Sequence, residues 1–344
     1  MEFLTQLQKY CTKLPRSERS KLTRYWMNMP QHISTIITES SSATPTSCNN
    51  IKDYICYKCV IFLSEIKQEL KERGFESLNS FISAGWAFFS LITIVILNSP
   101  TLNRADVDRM VTNIRPYLLI YIVVDHTLDN DPKALSVFKE EFSKTILSGK
   151  NSALGHLNKE VEYACSLTEE IMRLAPRSVP YIAEAARVEF STVKLQKTQH
   201  NTLEMCYAKG SSSTLAGCAV INNGTIYPGT ETIGKIGQLF DDIVDIEEDK
   251  ASGIKTFALE SLEKHGNIDN CVDIMGDLIA ELPDSYNTVK PLFLYMLSTY
   301  FINSMFITHE LRIILLDYSL LLYKGHNSNP QYFSSFKAIF NQIK

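Results

Sequence analysis

Residues 237–250 read GQLFDDIVDIEEDK. Asp241, Asp242, Asp245, Glu247, Glu248 and Asp249 fall within nine residues, directly behind Leu239 and Phe240 and interrupted by Ile243, Val244 and Ile246. A solvated acidic run has no use for those apolar residues, and a core helix does not tolerate bare acids. Residues four apart share a helix face, so Asp241, Asp245 and Asp249 form one stripe, which Phe240, Ile243 and Val244 flank as anchors in a core. Like charges at this spacing repel unless divalent cations bridge them. Hard cations such as Mg²⁺ select oxygen ligands, one or two carboxylates at a time, completed by substrate phosphate oxygens. Lys250 and Lys255 stand just beyond the stripe, with Gly253 loosening the helix end, where cations suit an anionic ligand. An EF-hand is excluded: counted from Asp241, the sixth loop position is Ile246 instead of Gly and the twelfth is Ser252 instead of Glu.

A second acidic site lies upstream in YIVVDHTLDND, with Asp125 and Asp129 again at i, i+4 and Asp131 just past them. They follow LLIYIVV, a run that must be buried, and Tyr121 and Tyr117 lie one and two turns below Asp125 on the same face. An acidic stripe alone is more often a solvated face. Two such sites, both running out of apolar helices, imply a shared mouth with cations between the carboxylates. A diphosphate would complete the coordination, and metal-bound diphosphate is a good leaving group because the ions take up its developing charge. The chemistry this favours is ionisation of an allylic diphosphate to a carbocation in a pocket that excludes water. Between the two sites, CYAKGSSSTLAGCA offers Lys209 to a diphosphate, and its small residues Gly210–Ser213 permit either close backbone approach or a bend in a packed bundle. It is not a P-loop, because the order is Lys-Gly and the leading glycine is missing.

The rest of the chain is compatible with such a site. At 344 residues it can bury a large core, and its 45% apolar and 21% charged residues are ordinary for a globular protein. A net charge of −4 argues against nucleic acid as the main partner. Eight scattered cysteines are too sparse for a disulfide scaffold and point to reduced thiols in the cytoplasm. Cys56 and Cys59 form a CxxC without the second pair or nearby His pair that a zinc site needs. Phe81–Asn98 carries no charge, but it contains Ser83, Gly85, Ser90 and Thr93 and lacks flanking basic clusters, which fits a buried helix better than a membrane span. Strand signals are scarce. Helical spacing runs over about 51–74, 77–98, 103–130, 133–148, 154–174, 180–208, 210–221, 230–251, 268–282, 287–324 and 331–343. The expected organisation is an N-terminal helical extension with a Ser/Thr-rich linker over 1–50, then one all-α domain over 51–344.

DHTLD, KGSSSTL and LFDDIVDIEEDKASG, in this order, resemble the class I isoprenoid synthase superfamily, over about residues 50–325. The likeness is greatest to the large, prenyltransferase-like (class IB) terpene synthases. It implies a single helical bundle in which two acidic motifs hold about three Mg²⁺ ions and the substrate diphosphate. Asp125 and Asp129 stand at the first motif; Asp241, Asp245 and Asp249 match the ligand positions of the second, with Asp in place of the usual Ser and Glu. QLFDDIVD is also similar to the second motif of chain-elongating prenyltransferases, but DPKALSVFKEEF lacks the Arg pair that would follow their first motif. The implied activity is that of a terpene synthase, ionising and cyclising a linear prenyl diphosphate such as farnesyl diphosphate. Alternatives are a prenyl diphosphate synthase or a squalene/phytoene-type condensing enzyme, and, outside catalysis, a helical interaction protein that binds divalent cations. Lys209, Lys250, Lys255, Arg187 and Arg312 are the candidate clamps for the diphosphate. Trp86, Phe89, Tyr117, Tyr121, Phe240, Phe293 and Tyr300 are the candidate walls of the pocket, where aromatic faces stabilise passing cations. For each taken singly, plain core packing is the commoner role. The sequence leaves the oligomeric state open; the resemblance allows a homodimer through bundle helices.

Overall fold

A computed structural model describes residues 51–74, 88, 90–99, 101–130, 134–196, 203–287, 290–302 and 304–316. The N-terminal extension, Trp86, Phe89 and the helix expected over 331–343 lie outside them. Among the described residues all regular structure is helical, as the spacing predicts. In chain order the helices are α1 (Ile51–Glu72), a helical stretch at 90–98, α2 (Arg104–Asn130), α3 (Ala134–Ser148), α4 (Lys159–Leu174), α5 (Val179–Gln196), α6 (Leu203–Ile221), α7 (Thr230–Val244), α8 (Ile246–Ser252), α9 (Phe257–His265), α10 (Asp269–Glu281) and α11 (Lys290–Ile302), followed by helical residues 309–316. Among the described residues no helix is long and apolar enough to cross a membrane; residues 81–87 and Phe89 of the uncharged stretch are not among them.

Local chemistry sets several boundaries. The Asn158 side chain accepts the Val161 N–H at 2.9 Å and starts α4, with Glu160 and Glu162 in its first turn where acids complement the helix dipole. Burial of Val161, Ala164, Cys165, Thr168 and Ile171 then gives α4 one apolar face. Thr256 caps α9 in the same way, and Gly266 ends it in the left-handed conformation that glycine adopts without strain. The spacing did not predict α9.

The core has two apolar clusters. The larger gathers α1, the 90–98 stretch, α2, α3 and α4 around Phe62, Ile66, Ile94, Ile114, Leu118, Ile122, Phe138 and Ile171. The smaller joins Cys206, Leu239, Ile243, Ile246, Leu259, Met275, Phe301 and Leu311. Helix α6 is central and packs on α2, α5 and α7. Its partnership with α7 is a backbone-to-backbone crossing at two glycines. A Cβ on Gly210 would run into the Gly234 carbonyl and sit 2.7 Å from Gln238 Cβ; one on Gly234 would run into the Gly210 carbonyl and lie 2.8 Å from Thr214 Oγ1. The small residues after Lys209 therefore serve this contact. They do not bend the helix: the boundary expected near 209 is absent, and α6 runs unbroken from Leu203 to Ile221.

Contacts along α6 fix the directions of its neighbours. Towards its C-terminal end Asn113 Nδ2 of α2 donates to the Ile221 carbonyl at 3.4 Å, and further back the Tyr117 hydroxyl donates to the Ser213 carbonyl at 2.6 Å. As α2 advances, α6 recedes, so the two are antiparallel. Along α7 the Thr230 hydroxyl donates to Cys218 Sγ at 3.7 Å, Gly234 meets Gly210, and Asp242 faces Cys206. Helix α7 is thus also antiparallel to α6, and α2 and α7 run parallel.

Candidate functional site

The last turns of α7 carry the acids, and their arrangement differs from a straight stripe. The chain leaves helical geometry at Asp245 (φ −96°, ψ 9°), and α8 starts afresh at Ile246. Asp241, Asp245 and Asp249 therefore do not share one continuous helix. Three like charges at i, i+4 and i+8 work against such a helix. The register is partly kept, because Asp245 N–H still donates to the Asp241 carbonyl at 3.0 Å and Asp249 N–H to the Asp245 carbonyl at 2.8 Å.

The most buried acid is Asp242, at 4% exposure, which the spacing passed over in favour of the half-buried Asp241. Gln238 Nε2 donates to Asp242 Oδ1 at 2.9 Å and lies 3.4 Å from Asp241 Oδ2. Asp242 Oδ2 is buried without a hydrogen-bond partner, a costly position for a carboxylate oxygen. Burial pushes the Asp242 carboxyl above its usual range, against the opposing pull of Gln238 and the Lys209 ammonium. Across the helix pair the Cys206 thiol is pushed well up by burial and by the adjacent Asp242 charge. Asp249 is pushed up to about 7, first by burial and then by the charges of Asp242 and Asp245, while Lys209 and the Thr256 hydroxyl pull it down. Asp242, Asp245, Asp249 and Lys209 therefore form one electrostatic unit spread over α6, α7 and α8. Gly234, Gln238 and Asp242 recur every four residues along α7. That small-polar-acid face toward α6 was the sequence signal for Asp242.

Lys209 also pairs with Glu189 of α5, Nζ to Oε1 at 3.5 Å. Glu189 in turn raises Tyr117, whose phenol is held at about 12 mainly by burial. Tyr117 is thus buried against α6, and its hydroxyl is committed to Ser213. The Phe240 ring packs edge-on to Tyr300 at 4.9 Å and to Phe301 at 6.4 Å. Tyr300 is raised by burial and then by the Asp245 charge, so this aromatic group adjoins the acids. Tyr121 and Phe293 pack half-buried on the larger cluster.

The other expected clamps are more scattered. Lys250 and Lys255 are exposed near Asp249. Arg187 is exposed and forks onto Glu184 one turn earlier in α5, at 2.6 and 2.7 Å. Arg312 donates from Nη2 to the Ser304 carbonyl at 2.6 Å, and its Nε is buried without a partner. Asp125 and Asp129 lie in the last turns of α2; their side chains are outside the described residues. From Tyr117, opposite Ser213, residue 125 lies two turns further on, about 12 Å at the helical rise. Because α2 and α6 are antiparallel, that brings the backbone of residue 125 level with the start of α6, where Asp242 meets Cys206. The acid-bearing ends of α2 and α7 emerge at the same end of the bundle, level with the start of the helix that carries Lys209.

Among the described residues no three His, Cys, Asp or Glu side chains converge on a single ion position. The donors present are nevertheless hard oxygens suited to Mg²⁺, which takes one or two carboxylates at a time, and the orphaned Asp242 Oδ2 is an oxygen in need of a cation or proton. No protein-family model matches the chain, and neither the curated proteins nor the solved structures give a match.

Proposed function

We propose that this protein is a Mg²⁺-dependent terpene synthase of the isoprenoid synthase type, which ionises a linear prenyl diphosphate, farnesyl diphosphate being the first to try, and cyclises the cation. The observation that carries the proposal is the parallel course of α2 and α7, which delivers both acidic segments to one end of the bundle beside Lys209. Asp125 and Asp129 on one side, and Asp241, Asp242, Asp245 and Asp249 on the other, are the residues that would hold Mg²⁺. Bound there, the ions would neutralise the charge that develops on the departing diphosphate.

The chain's own residues supply the rest. Lys209, only 16% exposed at its side chain, offers an ammonium to the diphosphate where low solvent access strengthens the attraction. Lys250 and Lys255 add exposed positive charge beside Asp249. The edge-on group of Phe240, Tyr300 and Phe301 presents aromatic surface next to Asp245, where ring faces stabilise a nearby carbocation. Leu239 and Ile243 of α7, packed in the smaller apolar cluster, would help to keep water from quenching it.

Burial of Asp242 gives substance to a second reading, a prenyl diphosphate synthase, since Asp241, Asp242 and Asp245 then act together as in the second motif of chain-elongating enzymes. One experiment separates the two. The protein is incubated with Mg²⁺ and geranyl, farnesyl or geranylgeranyl diphosphate, with and without isopentenyl diphosphate, and products are read by gas chromatography and mass detection before and after phosphatase treatment. Terpenes from a single substrate are the expected result. Longer diphosphates that need isopentenyl diphosphate would establish the second reading, and no product in any tube would overturn both.

A further inference from the structure

The Lys209 ammonium has carboxylates on two sides. On one is Glu189 of α5, 3.5 Å away, with the two side chains 16% and 25% exposed. On the other are Asp242 and Asp249 of α7 and α8, whose ionised forms Lys209 favours. At 3.5 Å the Glu189 contact is long and partly exposed, so it is exchanged for a stronger anion more readily than a short bidentate pair. Glu189 also lies close enough to the buried Tyr117 hydroxyl to disfavour its ionisation, so its carboxylate belongs to the interior junction of α2, α5 and α6 and not to the solvated face of α5 that carries Arg187 and Glu184.

We propose that Glu189 is a positioning residue, the resting counter-ion of Lys209, which holds the ammonium on the α5 side and yields it when a diphosphate arrives. This rests on the diphosphate reading above and adds a regulatory element to it. In the resting protein the pair holds the half-buried Lys209 ammonium toward α5. A diphosphate carries several negative charges against the single charge of Glu189 and takes the ammonium over by exchange, with no change in protonation. Glu189 therefore competes with the ligand, and its removal should strengthen binding. A residue that merely tied α5 to α6 would have the opposite effect.

The test is calorimetric titration of inorganic pyrophosphate into the full-length protein in Mg²⁺. The wild type, Glu189→Gln, Lys209→Ala and the double variant are compared. Glu189→Gln should bind roughly two- to fivefold tighter, the scale of one partly exposed ion pair. Lys209→Ala should bind more weakly, and in its background the Glu189 substitution should have no further effect. Should Glu189→Gln fold poorly, Glu189→Asp retains the charge at shorter reach and should give an affinity between wild type and the neutral variant's expected gain. Equal or weaker binding by the folded Glu189 variants, with Lys209→Ala still impaired, would overturn the inference and leave the diphosphate site standing. Failure of the wild type to bind pyrophosphate would overturn the diphosphate reading and this inference with it.

Discussion

Asp242 and Asp249 show what the acidic segment costs the fold. An ordinary aspartate titrates near 4, whereas Asp249 is held at about 7 by burial and by its neighbours. The folded state therefore binds a proton that the unfolded chain has already released. The corresponding stability is fully present below about pH 4 and is lost as pH rises through about 7. In metal-free buffer this protein should lose thermal stability between pH 5 and pH 7.5, and Asp249→Asn should flatten that part of the profile, as read by differential scanning calorimetry. Mg²⁺ should raise the midpoint of the wild type more at pH 7.5 than at pH 5, because it binds the ionised form. An equal shift at both pH values would show that the cation does not act through these acids. At this scale the sequence was informative about residue type and misleading about rank. It singled out Asp241 by spacing, whereas the crossing with α6 buries Asp242. Which acid points inward depends on a contact between helices that are adjacent in sequence but whose register the spacing alone does not set.

At the scale of elements, most helices could be read from apolar spacing, and α2, α3 and α10 lie within a residue or so of where it placed them. The exceptions share a cause. Gly210 offered either a bend or a close backbone approach and is a contact residue; Asp245 looked like the middle of a helix and is a turn. Neither is decided by local propensity. Gly210 is required because the Gly234 backbone lies against it. Gly210→Ala and Gly234→Ala should each cost about 1–3 kcal/mol or more, the range for overpacking a close contact. Gly237, also in α7, has nothing within 4 Å of where its Cβ would stand. Gly237→Ala should instead stabilise by about 0.5–1 kcal/mol, the helical preference of alanine over glycine. Urea unfolding of the three variants checks this directly. If all three behave alike, the glycine crossing is not what sets the α6–α7 distance.

At the scale of the molecule, the all-α class followed from the scarcity of strand signals, but the topology did not. Only the contacts along α6 show that α2 and α7 run parallel, and the functional proposal depends on this. It turns two acidic segments more than a hundred residues apart into neighbours at one end of a bundle. If they form a single site, losing either side should disable it, while an acid elsewhere should be dispensable. Glu160, half-buried in the first turn of α4, is a suitable control. The measurement that tests this most directly is the rate of pyrophosphate release from farnesyl diphosphate in Mg²⁺. It would be made on the wild type, Asp125→Ala, Asp245→Ala and Glu160→Ala. The account predicts release by the wild type and by Glu160→Ala, and a loss of about a hundredfold or more in each aspartate variant, the scale of removing an electrostatic stabiliser of the leaving group. A wild-type rate retained by Asp125→Ala, with Asp245→Ala inactive, would contradict it, because the two acidic ends would then not share one site.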